Sequence, residues 1–142
     1  MLGFLYALIA GAAMSVQGVM NTRLGDKIGV LEANAMVQLV GMVLAILVAF
    51  AFGKGDVARL GQAPWYSWLG GVLAPVITIT VMLAISNLSP TIAISIILIA
   101  QLGVAALIDA FGWMAAAQVT FTWPKLAGLV LMVGGVLFMK FG

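Results

Sequence analysis

Five apolar runs fill nearly the whole chain, at about residues 2–22, 33–53, 66–86, 91–111 and 124–141. Each is close to the roughly 20 residues that a helix needs to cross a hydrocarbon layer of about 30 Å. A backbone in lipid must satisfy its own hydrogen bonds, so each run is expected to be a helix. Composition agrees: 65% of residues are hydrophobic and 7% are charged, too little polar surface to cover a water-soluble fold. The first run has the position of a signal peptide. It is read as a retained span, because it lacks a basic leader and holds Gln17 and Asn21. The connections are short, at about 23–32, 54–65, 87–90 and 112–123. Consecutive helices should therefore run antiparallel and pack side by side as one all-α transmembrane domain over 1–142, with no extramembrane domain.

The chain has no cysteine and no histidine. That removes disulfides and thiolate metal sites, together with the commonest metal ligand and general base. No enzymatic activity, metal or cofactor is expected. The net charge of +2 comes from six basic and four acidic residues and gives no sign of a nucleic-acid partner. The expected partners are the lipid bilayer, a small-molecule substrate and a second copy of the chain. Nine Met residues, spread among Leu, Val and Ile, read as fillers of helix contacts rather than as a metal pathway.

If the runs alternate across the membrane, the face carrying the N-terminus holds Lys54, Arg59 and Lys125, and the opposite face holds Arg23, Lys27 and Lys140. Orientation is normally set by an excess of Lys and Arg in short cytoplasmic loops. The tie predicts insertion both ways round, and hence an antiparallel homodimer of ten helices with its two-fold axis in the membrane plane. Inverted repeats of this kind are the plan of many secondary transporters, whose substrate lies near the midplane between halves that rock. Trp65, Trp68, Trp113 and Trp123, with Tyr66, all fall near the N-terminal face. An inverted pair would put Trp in both leaflets, where aromatic belts normally lie.

Polar residues inside the runs are where any chemistry must reside. Gln17 and Asn21 are four apart, about 40° around a helix axis, so both amides address the same neighbour. Gly11 and Gly18 form a small strip beside them. The second run repeats the arrangement with Asn34, Gln38, Gly41 and Ala45, and two such faces could pack and leave a polar groove. Gln17 and Asn21 are the first candidates for a substrate site, Gln38 the next, with Asn34 and Gln101 as further candidates. The competing use of each amide is to bond one helix to another, worth around 1 kcal/mol or less. Asp109 is the proton-coupling candidate. A carboxylate at the bilayer centre costs about 2.5–3.5 kcal/mol, less near an interface, where the alternative is an Asp that pairs with Lys125 or simply reaches water. Ser15, Thr78, Thr80, Ser86 and Ser95 are expected to serve packing. Pro75 should interrupt the ladder of the third helix and provide a hinge, whereas Pro90 should start the fourth.

The last run reads GLVLMVGGVL from Gly128 to Leu137, with Gly128 and Gly135 on one helix face. It resembles the glycine-bearing terminal helix of the small multidrug resistance proteins and their larger relatives in the drug/metabolite transporter superfamily. The resemblance extends over the chain. Its length, five runs, the first with Gln17, Gly18 and Asn21, and the fourth with Gln101 and the series Ile108, Asp109, Ala110, Phe111, Gly112 are similar to the YdcZ-like family of half-size members of that superfamily. The resemblance implies five-helix units in the bacterial inner membrane, occurring as dual-topology single proteins, as oppositely oriented pairs or as fused ten-helix proteins. It implies no particular substrate. The family pattern often has His after the Asp, where this chain has Ala110, so a role needing that imidazole is not expected. The small multidrug resistance proteins carry a Glu within the first helix. This chain has no acid there, so competition of proton and cationic drug for one such carboxylate is not expected either. The expected function is movement of a small metabolite or amphipathic organic cation by alternating access. A passive pore formed by an inverted dimer, or a non-transporting accessory subunit, is compatible with the same residues.

Overall fold

The computed structural model describes residues 1–120 and 122–142. Five long helices carry the fold: α1 (Leu2–Ile28), α2 (Val30–Phe52), α3 (Leu69–Asn87), α4 (Pro90–Phe111) and α5 (Trp123–Phe141). Short 3-10 turns occupy Val57–Gln62, Trp65–Trp68 and Trp113–Ala115. With the Trp65–Trp68 turn counted into the third span, all five are long and apolar enough to cross a membrane. The protein is thus an all-α membrane unit.

The first connection is shorter than the sequence suggested. Residues 23–28 continue α1, and Gly29 alone separates it from α2, with φ 99° and ψ 147°. That positive φ suits a residue without a Cβ. Nothing in residues 23–28 other than Gly25 weakens a helix. At 27 residues, α1 is about 40 Å long, longer than the ~30 Å apolar layer. Its last turns, with Arg23, Asp26 and Lys27, can therefore extend into the headgroup region. Arg23 and Asp26 approach to 3.7 Å there, both well exposed.

The other helix ends have local causes. Asp56 accepts from the Ala58 N–H at 3.0 Å and starts the 3-10 turn after α2. Ser89 accepts from the Ile92 N–H, with Pro90 in the first turn of α4, a cap followed by a residue whose missing N–H costs nothing at that position. Gly112 ends α4 in the left-handed region, φ 63°, with its N–H on the Ile108 carbonyl. Helix α3 continues through Pro75. The carbonyl that Pro75 leaves without its N–H partner is that of Gly71, four residues earlier.

The chain divides into two compact units, Met1–Asn87 and Leu88–Gly142. In the first, α1, α2 and α3 pack against one another. The side of α1 that disappears is Gly18, Asn21, Thr22 and Gly25, which follow i, i+3, i+4, i+7 down one face. A Cβ on Gly18 would stand 2.9 Å from Ile85 Cδ1 and 3.2 Å from Val81 Cγ1, both on α3. A Cβ on Gly25 would meet Met82 Sδ and Val30 at 3.6 Å. Small residues on α1 therefore bring its backbone close to α3, where Met82 and Ile85 are buried, and Ala33 closes the α2 side. The second unit is the α4–α5 hairpin, in which Ala93 is buried. Large apolar side chains point outward from every helix, such as Leu44, Leu47 and Phe50 of α2 and Leu131 and Phe138 of α5. This is the arrangement of a chain whose solvent is hydrocarbon.

Candidate functional site

Most hydroxyls within the spans bond back to their own helix, as does the Asn87 amide at the end of α3, which donates to the Leu83 carbonyl at 2.8 Å. Ser15 donates to the Gly11 carbonyl at 3.0 Å, Thr22 to Gly18 at 2.8 Å, Thr78 to Ala74 at 3.0 Å, Thr80 to Val76 at 2.8 Å and Ser86 to Leu83 at 3.0 Å. These hydroxyls are satisfied on their own helices and need no partner. Among the described residues, Gln17, Asn21, Asn34, Gln38 and Gln101 make no side-chain hydrogen bond. The Asn34 Oδ1 is buried without any partner. An amide in a low-dielectric setting without a partner is costly, so these five amides have capacity left for a ligand or for another helix; Ser95 on α4 likewise makes no side-chain hydrogen bond among the described residues.

Gln17 and Asn21 border one concavity of about 570 Å³ along α1, with Ala12, Ala13, Val16 and Met20. Asn21 belongs to the buried stripe at 8% exposure, while Gln17 lies on its exposed shoulder. Asn34 and Gln38, half-buried on α2, are not among the residues lining this concavity. The hairpin about Gly29 nevertheless brings Asn21 and Gln38 to a similar depth. Asn21 precedes that turn by eight residues and Gln38 follows it by nine, about 12–14 Å along each helix. Gln101 is exposed on α4. Of the glycines expected to serve packing, Gly18 has close neighbours, whereas Gly11, Gly128 and Gly135 have nothing within 4 Å of an added Cβ.

Asp109 sits in the last turn of α4, half-buried. The segment after that helix folds back on it: the Gln118 side-chain amide donates to the Ala110 carbonyl at 2.9 Å, and the Val119 N–H donates to the Asp109 carbonyl at 2.9 Å. Met114 and Ala115, at φ 56° and 61°, make the reversal at a conformational cost. These two bonds take up terminal carbonyls that the helix leaves free. Gln118 was not singled out by its sequence context, because an amide in a connection carries no signal of which carbonyl it will reach. Asp109 and Lys125 line one cavity of about 340 Å³ between α4 and α5. Among the described residues the ion pairs are Arg23–Asp26 and Arg59–Asp56. The alternative of a direct Asp109–Lys125 ion pair is therefore not formed, although both border the same space.

Five helices long and apolar enough to cross a membrane define a multi-pass membrane protein. The family described as "Putative inner membrane exporter, YdcZ" matches residues 2–138, and the chain belongs to it. The protein is accordingly placed in the inner membrane as a multi-pass transporter-type protein. No curated protein and no solved structure matches the chain.

Proposed function

We propose that the protein moves a small solute across the inner membrane by alternating access, from a site shared by two oppositely inserted copies. The observation that carries this reading is the balance of cations at the helix ends. Lys54 and Arg59 lie between α2 and α3, and Lys125 lies in the first turn of α5; Arg23 and Lys27 end α1, and Lys140 ends α5. If successive helices alternate across the membrane, three fall on each face, and the rule that fixes orientation by Lys and Arg has nothing to act on. The unbonded amides add support. Gln17 and Gln101 are exposed on spanning helices, where lipid offers no hydrogen bonds, and a second copy together with a polar solute would supply them. The few charges within the spans favour neutral, singly charged or amphipathic solutes, since a multiply charged one would meet little compensation.

The test is orientation-specific labelling of both chain ends, combined with biased variants. Two Lys added to the 54–64 connection, or two added beside Ser89, should each hold the chain in one orientation and lower transport when expressed alone. Co-expression of the two should restore it. Full activity from each biased variant alone would refute the antiparallel arrangement. Flux far above carrier rates without saturation would replace the carrier by a pore, and absence of both binding and flux in the reconstituted protein would favour an accessory subunit.

A further inference from the structure

The cavity between α4 and α5 has a polarity gradient set by the register of the two helices. On α4 its lining residues recede from Asp109 through Ala106 to Leu102, and on α5 from Lys125 through Gly128 to Met132. Each series steps back by three or four residues and then seven, one face of each helix. Leu102 and Met132 are therefore about 10 Å deeper in the membrane than the two charges. The charged end lies at the lipid–water boundary. Asp109 is two residues from the end of α4, Lys125 is two residues into α5, Trp123 is exposed beside it, and Trp113 stacks on Phe111 at 5.4 Å, in the manner of interfacial aromatics. Gly128 leaves the wall open, since a Cβ there would meet nothing within 4 Å.

We infer that this cavity seats a phospholipid whose headgroup carries a primary ammonium. The ammonium lies on the Asp109 carboxylate, the phosphate lies on Lys125, and the upper part of the acyl chains runs down past Gly128 towards Met132. An opposed acid and base that flank a cavity without touching suit a ligand that brings both charges. The apolar extension towards the bilayer interior suits one that enters from the lipid. A cavity of about 340 Å³ is at the small end of ligand pockets, enough for a headgroup and the first methylenes, with the remaining chain in the bilayer. A small soluble zwitterion would use the charged end alone. This inference concerns the second unit by itself and does not rest on the dual-topology reading.

The test uses the full-length protein, stripped of lipid in detergent, with thermal stabilisation measured against four additives. These are phosphatidylethanolamine, phosphatidylglycerol, phosphatidylcholine and the chain-free headgroup glycerophosphoethanolamine. Phosphatidylethanolamine should bind about tenfold more tightly than phosphatidylglycerol, the scale of one charge-assisted hydrogen bond. Phosphatidylcholine, whose ammonium has no N–H to donate, should fall below it. Asp109→Asn should erase the preference for phosphatidylethanolamine over phosphatidylglycerol, Lys125→Gln should weaken both, and Gly128→Leu should block both by filling the wall. If Asp109→Asn fails to fold, Lys125→Gln and Gly128→Leu still decide the matter. Equal affinity for phosphatidylethanolamine and phosphatidylglycerol in the unaltered protein would overturn the inference. So would binding unchanged by the variants, or a chain-free headgroup that stabilises as well as the lipid.

Discussion

Replacing Gly18 by Ala tests the close approach of α1 to α3 with one added methyl group. That methyl would lie 2.9 Å from Ile85 Cδ1 and 3.2 Å from Val81 Cγ1, inside van der Waals contact. Overpacking a filled interface costs about 1–3 kcal/mol. Because the nearest atom is the tip of a flexible side chain, a value near the middle, about 2 kcal/mol, is expected. Ala gains about 1 kcal/mol over Gly in a helix interior, which leaves a net loss of about 1 kcal/mol. Two other glycines of α1 provide the scale. At Gly25 the added methyl would find neighbours at 3.6 Å, ordinary contact, and at Gly11 it would find nothing within 4 Å. Both Ala variants should match or exceed the parent. The assay is reversible unfolding in mixed dodecylmaltoside–SDS micelles, read by the fluorescence of the four Trp residues. Ile85→Val, which removes Cδ1, should by itself cost about 0.5–1.5 kcal/mol. Combined with Gly18→Ala it should recover roughly 1 kcal/mol as coupling. If Gly18→Ala is as stable as Gly11→Ala, or if Ile85→Val leaves its cost unchanged, the proposed contact between α1 and α3 is wrong.

Other positions give independent checks. Asn21→Leu and Gln17→Leu should each abolish solute-induced stabilisation and saturable flux, whereas Thr80→Val, which removes a hydroxyl bonded to its own helix, should change neither by more than about twofold. Gln118→Ala loses the bond to the Ala110 carbonyl, about 1 kcal/mol. It should raise hydrogen exchange over the last turn of α4 and the segment that folds onto it, and leave α1 to α3 as protected as before.

The ends of α4 were legible in the sequence: Pro90 marked its start, and the apolar run stopped at Phe111, where the helix ends. Arg23 and Lys27 did not mark a helix end, because long cationic side chains can reach water while the backbone stays helical. The amides of Gln17 and Asn21 were visible as unusual residues in an apolar run, but not their division between an exposed shoulder and a buried stripe. The reason is that lipid and a neighbouring helix are equally apolar. A spanning helix has no polar face whose position would reveal which side is packed. On α1 the packed side is recognised by small residues, Gly18 and Gly25, rather than by large hydrophobic ones.

The sequence alone determines that this protein is an all-helical, five-span membrane protein with its cations balanced across the predicted faces. Transfer of each segment into hydrocarbon is a property of that segment's own composition. Only the tertiary structure decides that α1 meets α3 through Gly18 and Gly25, that Gln17, Asn21, Asn34, Gln38 and Gln101 make no side-chain hydrogen bond among the described residues, and that Asp109 and Lys125 face one cavity without touching. Those outcomes depend on how closely two backbones can approach and on the rotation of each helix about its axis, and both are set by the fit of neighbouring side chains rather than by the hydropathy of any one segment.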